Sequence, residues 1–228
     1  RDQPRSRGLG DVYKRQFTQD DAAEFGTRHS SNAGSMTGLA VAAANTDVWV
    51  KAANSDTGND FWYSEDRGVT WSNKVTAPVS GQNGHGGSVA ISADGSTFYW
   101  APDNMAFVFW SDDKGKTWNQ SEGGMSAKRL IADPVNPDYL YAASGSTFYY
   151  SDDRGKTFTA NSELSVFTST RPVVEAGVEG KIYYPAMGLQ VSTDHGKTFT
   201  RLSTVSNCQM VGLSLIHISE PTRPRLIS

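Results

Sequence analysis

The sequence predicts an all-β fold in which one four-stranded unit is repeated about four times, as in a partial β-propeller. The first observation is a short motif, S-x-D-x-G-x-T followed by Trp or Phe, that occurs four times. The second is its spacing, because the central aspartates, Asp66, Asp113, Asp153 and Asp194, stand 40 to 47 residues apart. A period of about 40–45 residues is typical of four-stranded propeller blades. The third is the pattern between the motifs, where short apolar runs alternate with turn residues.

Each residue type in the motif has a structural role. The aspartate can accept backbone N–H bonds across a turn, the glycine can adopt a positive φ, and the aromatic side chain supplies apolar area for packing between blades. We interpret the motifs as structural turns, since a carboxylate locked in a turn is poorly placed for proton transfer. The motif resembles the Asp box of sialidase-like propellers. The predicted structural residues are Asp66, Gly68, Trp71, Asp113, Gly115, Trp118, Asp153, Gly155, Phe158, Asp194, Gly196 and Phe199.

Turn signals and period-2 patterns place the strands of each unit in chain order. The strands of the first two units are predicted at 39–44, 47–52, 61–64 and 70–72, then at 87–92, 97–101, 107–111 and 116–119. Those of the last two units are predicted at 129–132, 139–143 and 147–151, then at 173–176, 181–185, 189–192 and 198–202.

An antiparallel meander sorts the loops onto two faces. The Asp boxes join the third and fourth strands of each unit, so they share one face with the turns between the first and second strands. The opposite face collects the loops between the second and third strands and the connections between units, including 81–86, 102–106 and 161–170. Because recognition usually resides in loops of this kind, we expect ligand binding on the face opposite the Asp boxes.

The second unit provides the candidate substrate-binding residues. An exposed aromatic ring beside Asn, Asp and His side chains suits a sugar, since the ring covers the apolar C–H face and the polar groups bind hydroxyls. An alternative is that the aromatic residue belongs to the core, because Tyr99 and its neighbour point to opposite sides of a strand. The candidates are Trp100, Asn104, His85, Asn83 and Asp103.

Charge and composition argue against several functional classes. The formal net charge of −3 gives no electrostatic attraction to nucleic acid or to an anionic membrane. No apolar run approaches the roughly 20 residues needed to span a bilayer. Cys208 is the single cysteine, which excludes an internal disulfide and a Cys-based zinc site. The loop at 54–60 has oxygen ligands but not the EF-hand spacing, so we expect neither a metal nor a cofactor.

The two ends of the chain, 1–16 and 213–228, are predicted to be translated adaptor DNA. A DNA sequence that encodes residues 11–16 can be written whose reverse complement encodes residues 213–218. This complementarity resembles the transposase adaptor used in sequencing libraries. Segments of such origin are not part of the native fold, so the predicted propeller domain covers 17–212.

Beyond the Asp boxes, residues 17–212 resemble the C-terminal propeller of glycoside hydrolase family 74, the xyloglucan-cleaving endoglucanases. The matching segments are Gly-Gly-Ser-Val-Ala at 86–90, Trp-Ala-Pro-Asp-Asn at 100–104 and Phe-Tyr-Tyr-Ser-Asp-Asp at 148–153. The resemblance implies a lobe of about seven blades that faces an N-terminal propeller lobe across a cleft. It also implies a secreted enzyme, a polysaccharide substrate and an inverting mechanism with one catalytic Asp from each lobe.

The resemblance also indicates that the chain has no catalytic residue. In the family the Asp of this lobe lies in a G-D-x-x-G-F segment, followed shortly by H-D-D. The sequence Phe-Thr-Gln-Asp-Asp at 17–21 resembles the end of that segment, with Gln19 in place of His, and the Asp would fall at Tyr13. We therefore expect the chain alone to be inactive. The alternative is a non-catalytic Asp-box propeller that binds peptides or assembles complexes, like sortilin-type or photosystem-assembly proteins.

Overall fold

The computed structural model describes residues 35–54, 59–123, 125, 129–165, 170–186, 188–206 and 208. In these residues the secondary structure consists of fifteen β-strands without a helix, which confirms the all-β prediction. The predicted adaptor segments and the segment at 17–21 lie outside the described residues.

The strands form four antiparallel sheets, called blades 1 to 4, in which chain neighbours pair. Blades 1 and 2 consist of β1 (Met36–Val41), β2 (Trp49–Ala53) and β3 (Phe61–Ser64), then β4 (Ser88–Ile91), β5 (Phe98–Ala101), β6 (Phe109–Ser111) and β7 (Asn119–Gln120). Blades 3 and 4 consist of β8 (Arg129–Ala132), β9 (Leu140–Ser144), β10 (Thr147–Ser151) and β11 (Thr159–Ser165), then β12 (Val173–Val174), β13 (Ile182–Ala186), β14 (Gly188–Ser192) and β15 (Thr200–Leu202).

Two predicted elements differ from the structure by more than a shift of their ends. Blade 1 has three strands rather than four, because Ser72 forms only an isolated bridge with Tyr63. The chain then leaves this blade, and the backbone N–H of Thr76 donates to the carbonyl of Gly115 in the Asp box of blade 2. In blade 3, β11 continues through Ser165 and occupies part of the segment that was predicted as a loop at 161–170.

The hydrophobic core lies between successive blades. Phe61 and Phe98 belong to the cluster between blades 1 and 2, whereas Tyr141 and Phe148 belong to the cluster between blades 3 and 4. The Asp-box aromatic residue of each later blade packs against the cluster that its blade shares with the preceding blade. These residues are Trp118, Phe158 and Phe199.

The Asp boxes are turns closed by their own side chains, as blade 3 shows. Asp153 Oδ1 accepts the hydroxyl of Ser151 at 2.8 Å and the backbone N–H of Thr157 at 2.9 Å, while Oδ2 accepts the Thr157 hydroxyl at 2.7 Å. The Ser151 hydroxyl oxygen in turn accepts the N–H of Gly155, whose φ is 74°. The other three boxes repeat this set of hydrogen bonds.

Candidate functional site

Three loops converge on the face opposite the Asp boxes, at the junction of blades 1 and 2. The backbone N–H of Asp60, just before β3, donates to the Gly84 carbonyl at 3.1 Å. The N–H of Gly86 donates to Ala53 O at 2.6 Å, and the N–H of Asp103 donates to His85 O at 2.9 Å. Because these bonds join β2–β3, β3–β4 and β5–β6 connections, the candidate loops form one hydrogen-bonded unit.

His85 lies at the centre of this unit, paired with a buried carboxylate. Its Nδ1 is 2.9 Å from Oδ2 of Asp60. The Asp60 side chain is 1% exposed, whereas that of His85 is 32% exposed. The ring therefore bridges the protein interior and the surface of the blade junction.

The other polar candidates surround His85 and are exposed. Asn104 Oδ1 accepts the backbone N–H of His85 at 3.0 Å, and its Nδ2 donates to the carbonyl of Asn83 at 2.9 Å. Asp103 Oδ2 accepts the N–H of Gly87 at 3.1 Å. The structure thus brings Asn83, His85, Asp103 and Asn104 together, as expected for loops that adjoin in one blade.

Trp100 does not provide the exposed ring that was expected, and this expectation is corrected. Its side chain is fully buried at 0% exposure, and its ring centroid lies 5.3 Å from that of Phe61 and 5.7 Å from that of Trp118. The indole Nε1 donates to the carbonyl of Gly86 at 2.8 Å. Both faces of blade 2 are covered by neighbouring blades, so Tyr99, on the other side of β5, is buried as well.

Glycines allow the loop to lie directly on the Trp100 ring. A Cβ at Gly84 would stand 2.5 Å from Cη2 of Trp100, so any side chain there would push the loop outward. Gly87 has a φ of 85°, and a Cβ at this position would overlap the carbonyl oxygen of Ala101. Trp100 is therefore the buried floor that supports His85.

Sequence reasoning missed two charged residues near this site. Asp60 ends the loop at 54–60, which was considered only as a metal-binding loop, although its place directly before the apolar β3 is a signal for burial. Arg129, the first residue of β8 in blade 3, is close enough to Asp103 for the two charges to interact. Burial lowers the pKa of its guanidinium, the charge of Arg171 lowers it further, and Asp103 has the opposite effect. The site thus has a positively charged margin.

The described residues hold no group of three or more His, Cys, Asp or Glu side chains arranged to bind a metal ion. Among the same residues, no helix is long and apolar enough to cross a membrane.

Comparisons with known proteins agree with this architecture. The BNR/Asp-box repeat model matches residues 149–160. A xyloglucanase from Paenibacillus sp is 32% identical over 221 residues, which cover 90% of this chain and 21% of the relative. A xyloglucanase from Hypocrea jecorina is 33% identical over 170 residues, which cover 73% of this chain and 20% of the relative.

A solved structure shows the same relationship in three dimensions. The GH74 enzyme of Niastella koreensis superposes with a TM-score of 0.66 at 28% sequence identity, over 79% of this chain and 26% of that protein. The chain spans about a fifth of the length of the curated relatives it matches. The Asp-box repeats, the blade topology and these similarities together show that the chain belongs to glycoside hydrolase family 74.

Proposed function

We propose that the chain is part of a xyloglucan-cleaving glycoside hydrolase and that its blades supply a wall of the substrate cleft. The observation that carries this proposal is the 32% identity to the Paenibacillus xyloglucanase across 90% of the chain. The whole protein would be a secreted enzyme in which an N-terminal propeller lobe faces this one. Its substrate would be a β-1,4-glucan backbone with xyloglucan-type branches.

The proposed reaction is an inverting hydrolysis that needs one carboxyl group from each lobe. One group protonates the glycosidic oxygen while the other activates water, and the two stand about 6.5–9.5 Å apart. The carboxylates of the candidate site and of the Asp boxes have structural partners: Asp153 is closed into its Asp box, Asp60 lies against His85, and Asp103 accepts the N–H of Gly87. We therefore assign the catalytic pair to residues outside the described part of the chain and propose that this chain alone is inactive.

The cluster around His85 is proposed as a glycan-binding surface. Asn83, Asp103 and Asn104 are exposed; the side chains of Asp103 and Asn104 are held by hydrogen bonds within the unit, and the Asn83 carbonyl accepts the Asn104 amide. Preorganised amide and carboxylate groups can exchange water for sugar hydroxyls with little loss of side-chain freedom. The surface lies opposite the Asp boxes, which leaves the Asp boxes to hold the blades together.

The complete gene product tests the catalytic proposal. We expect it to cleave xyloglucan faster than unbranched cellulose and to release the α-anomer first, which proton NMR of the fresh products detects. The 228-residue chain, assayed in parallel, should release no reducing ends. A complete product that leaves xyloglucan intact but binds a peptide would instead support a non-catalytic Asp-box propeller.

A further inference from the structure

We propose that Asp60 is a positioning residue that fixes the tautomer of His85 and so turns Nε2 into a hydrogen-bond acceptor for a glycan hydroxyl. The identity of the ligand as a glycan rests on the proposed function, whereas the assignment of the tautomer does not depend on it. The contact between Asp60 Oδ2 and His85 Nδ1, at 2.9 Å, is the starting observation.

The chemistry of the pair determines where the proton lies. An ionised carboxylate can only accept hydrogen bonds, so the ring nitrogen facing Asp60 must carry the proton. In a neutral imidazole the other nitrogen then has a free lone pair. Among the described residues His85 Nε2 has no hydrogen-bond partner, and the ring is partly exposed. The lone pair is thus available to a ligand at the surface.

Hydrogen bonds on both sides of His85 hold its backbone in place. The His85 N–H donates to Asn104 Oδ1, and the His85 carbonyl accepts the N–H of Asp103. The flanking Gly84 and Gly86 are buried, and their carbonyls accept the N–H of Asp60 and the indole N–H of Trp100. Since both neighbours are bonded to the core, the backbone of His85 is fixed, and the contact of Nδ1 with Asp60 orients the ring.

The surroundings favour a hydroxyl as the ligand. A histidine whose other nitrogen binds a carboxylate is also a common metal ligand, but the described residues contain no group of three side chains that could complete a metal site. The exposed neighbours Asn83, Asp103 and Asn104 instead provide several acceptors and amide donors. Sugar hydroxyls both donate and accept, so one can donate to Nε2 while its neighbours bind the Asn and Asp groups.

The tautomer is measured directly by nitrogen-15 NMR of the histidine rings in the complete gene product. At a pH where the shifts show a neutral ring, His85 should carry its proton on Nδ1. In Asp60→Asn the obligate acceptor is lost, and the ring should populate the form protonated on Nε2. The matched control is Asp133→Asn, which changes another buried aspartate (1% exposed) in blade 3 and should leave the His85 signals unchanged. A wild-type ring protonated on Nε2 would overturn the proposal even if Asp60→Asn fails to fold.

Ligand binding is measured with a xyloglucan oligosaccharide built on a four-glucose backbone. We expect it to shift the His85 Nε2 resonance and to bind Asp60→Asn about three- to tenfold more weakly, as for the loss of one hydrogen bond. Binding by wild type without a shift at Nε2 would overturn the assignment of His85 to the ligand. Failure of the wild-type protein to bind or cleave xyloglucan would contradict the proposed function instead, and the tautomer result would still stand.

Discussion

The residue before each Asp-box glycine has a left-handed backbone, although none of the four is glycine. Their φ angles lie between 60° and 65°, and all four side chains are basic. Each is paired with a carboxylate at 2.6 to 3.1 Å, on a neighbouring turn or on the preceding Asp box. Exposed pairs contribute about 0–1 kcal/mol, so the hydrogen bonds of the box provide most of the compensation for the left-handed backbone. These residues are Arg67, Lys114, Arg154 and His195.

The Asp-box carboxylates should make the fold sensitive to acid. Burial raises the pKa of Asp153, but the backbone N–H and the hydroxyl of Thr157, together with the hydroxyl of Ser151, lower it by more, so the net pKa lies below its usual range. The pKa values of Asp113 and Asp194 are lowered in the same way, because their hydrogen bonds outweigh the effect of burial. A lowered folded-state pKa gives stability that is complete above the unfolded pKa of about 4 and is lost as the pH falls towards the folded pKa.

Asp153→Asn tests this expectation. The variant should lose about 1–3 kcal/mol of unfolding free energy at pH 7, as for hydrogen bonds to a charged group, and should show a flatter loss of stability below pH 5 than the wild type. Urea unfolding at pH 7, 5, 4 and 3 measures both effects. Parallel pH profiles of the two proteins would show that Asp153 does not contribute through its charge.

At the scale of elements, the sequence predicted which loop residues of one blade lie together better than it predicted the contacts between two blades. Asn83, His85, Asp103 and Asn104 follow from the meander, because the β3–β4 and β5–β6 connections end at the same edge of blade 2. Trp100 could not be placed, because both faces of a middle blade are buried and alternation leaves no exposed side. Asp60 and His85 come from different blades, and their contact depends on the packing between the two sheets.

The Asp-box turn of blade 4 should require glycine for two reasons: its backbone has a positive φ, and a side chain there would collide with the neighbouring blade. Gly196 has a φ of 79°, and a Cβ there would overlap the ring of Phe148 in blade 3. We expect Gly196→Ala to cost about 2–4 kcal/mol, from left-handed strain and overpacking together. The matched control is Gly177→Ala, which has a φ of 75° and no atom within 4 Å of a Cβ, and should cost only about 1 kcal/mol. Equal thermal destabilisation of the two variants would contradict the packing argument.

At the scale of the whole molecule, each blade depends on its chain neighbours. The three core clusters each lie between two successive blades, and no described cluster spans all four. In such one-dimensional arrays, the free energy of unfolding is roughly a sum of terms for single units and for contacts between neighbouring units.

The apolar residues of β1 are not covered by another blade in the described chain, since Met36, Leu39 and Val41 are 61%, 48% and 40% exposed. We therefore predict that the chain expressed alone is poorly soluble, and a monodisperse product that melts cooperatively would contradict this.

Truncation of one core residue should destabilise the blades locally. Phe148 is fully buried, with its ring centroid 5.8 Å from that of Tyr184 and 5.2 Å from that of Phe199. We expect Phe148→Ala to cost about 3–5 kcal/mol and to lower hydrogen-exchange protection in blades 3 and 4, while β4–β6 of blade 2 keep theirs. Phe61→Ala, at the junction of blades 1 and 2, provides the reverse case and should leave β13 and β14 protected. Hydrogen exchange is followed by mass spectrometry in the complete gene product. Uniform loss of protection in both variants would show that the blades unfold as a single cooperative unit.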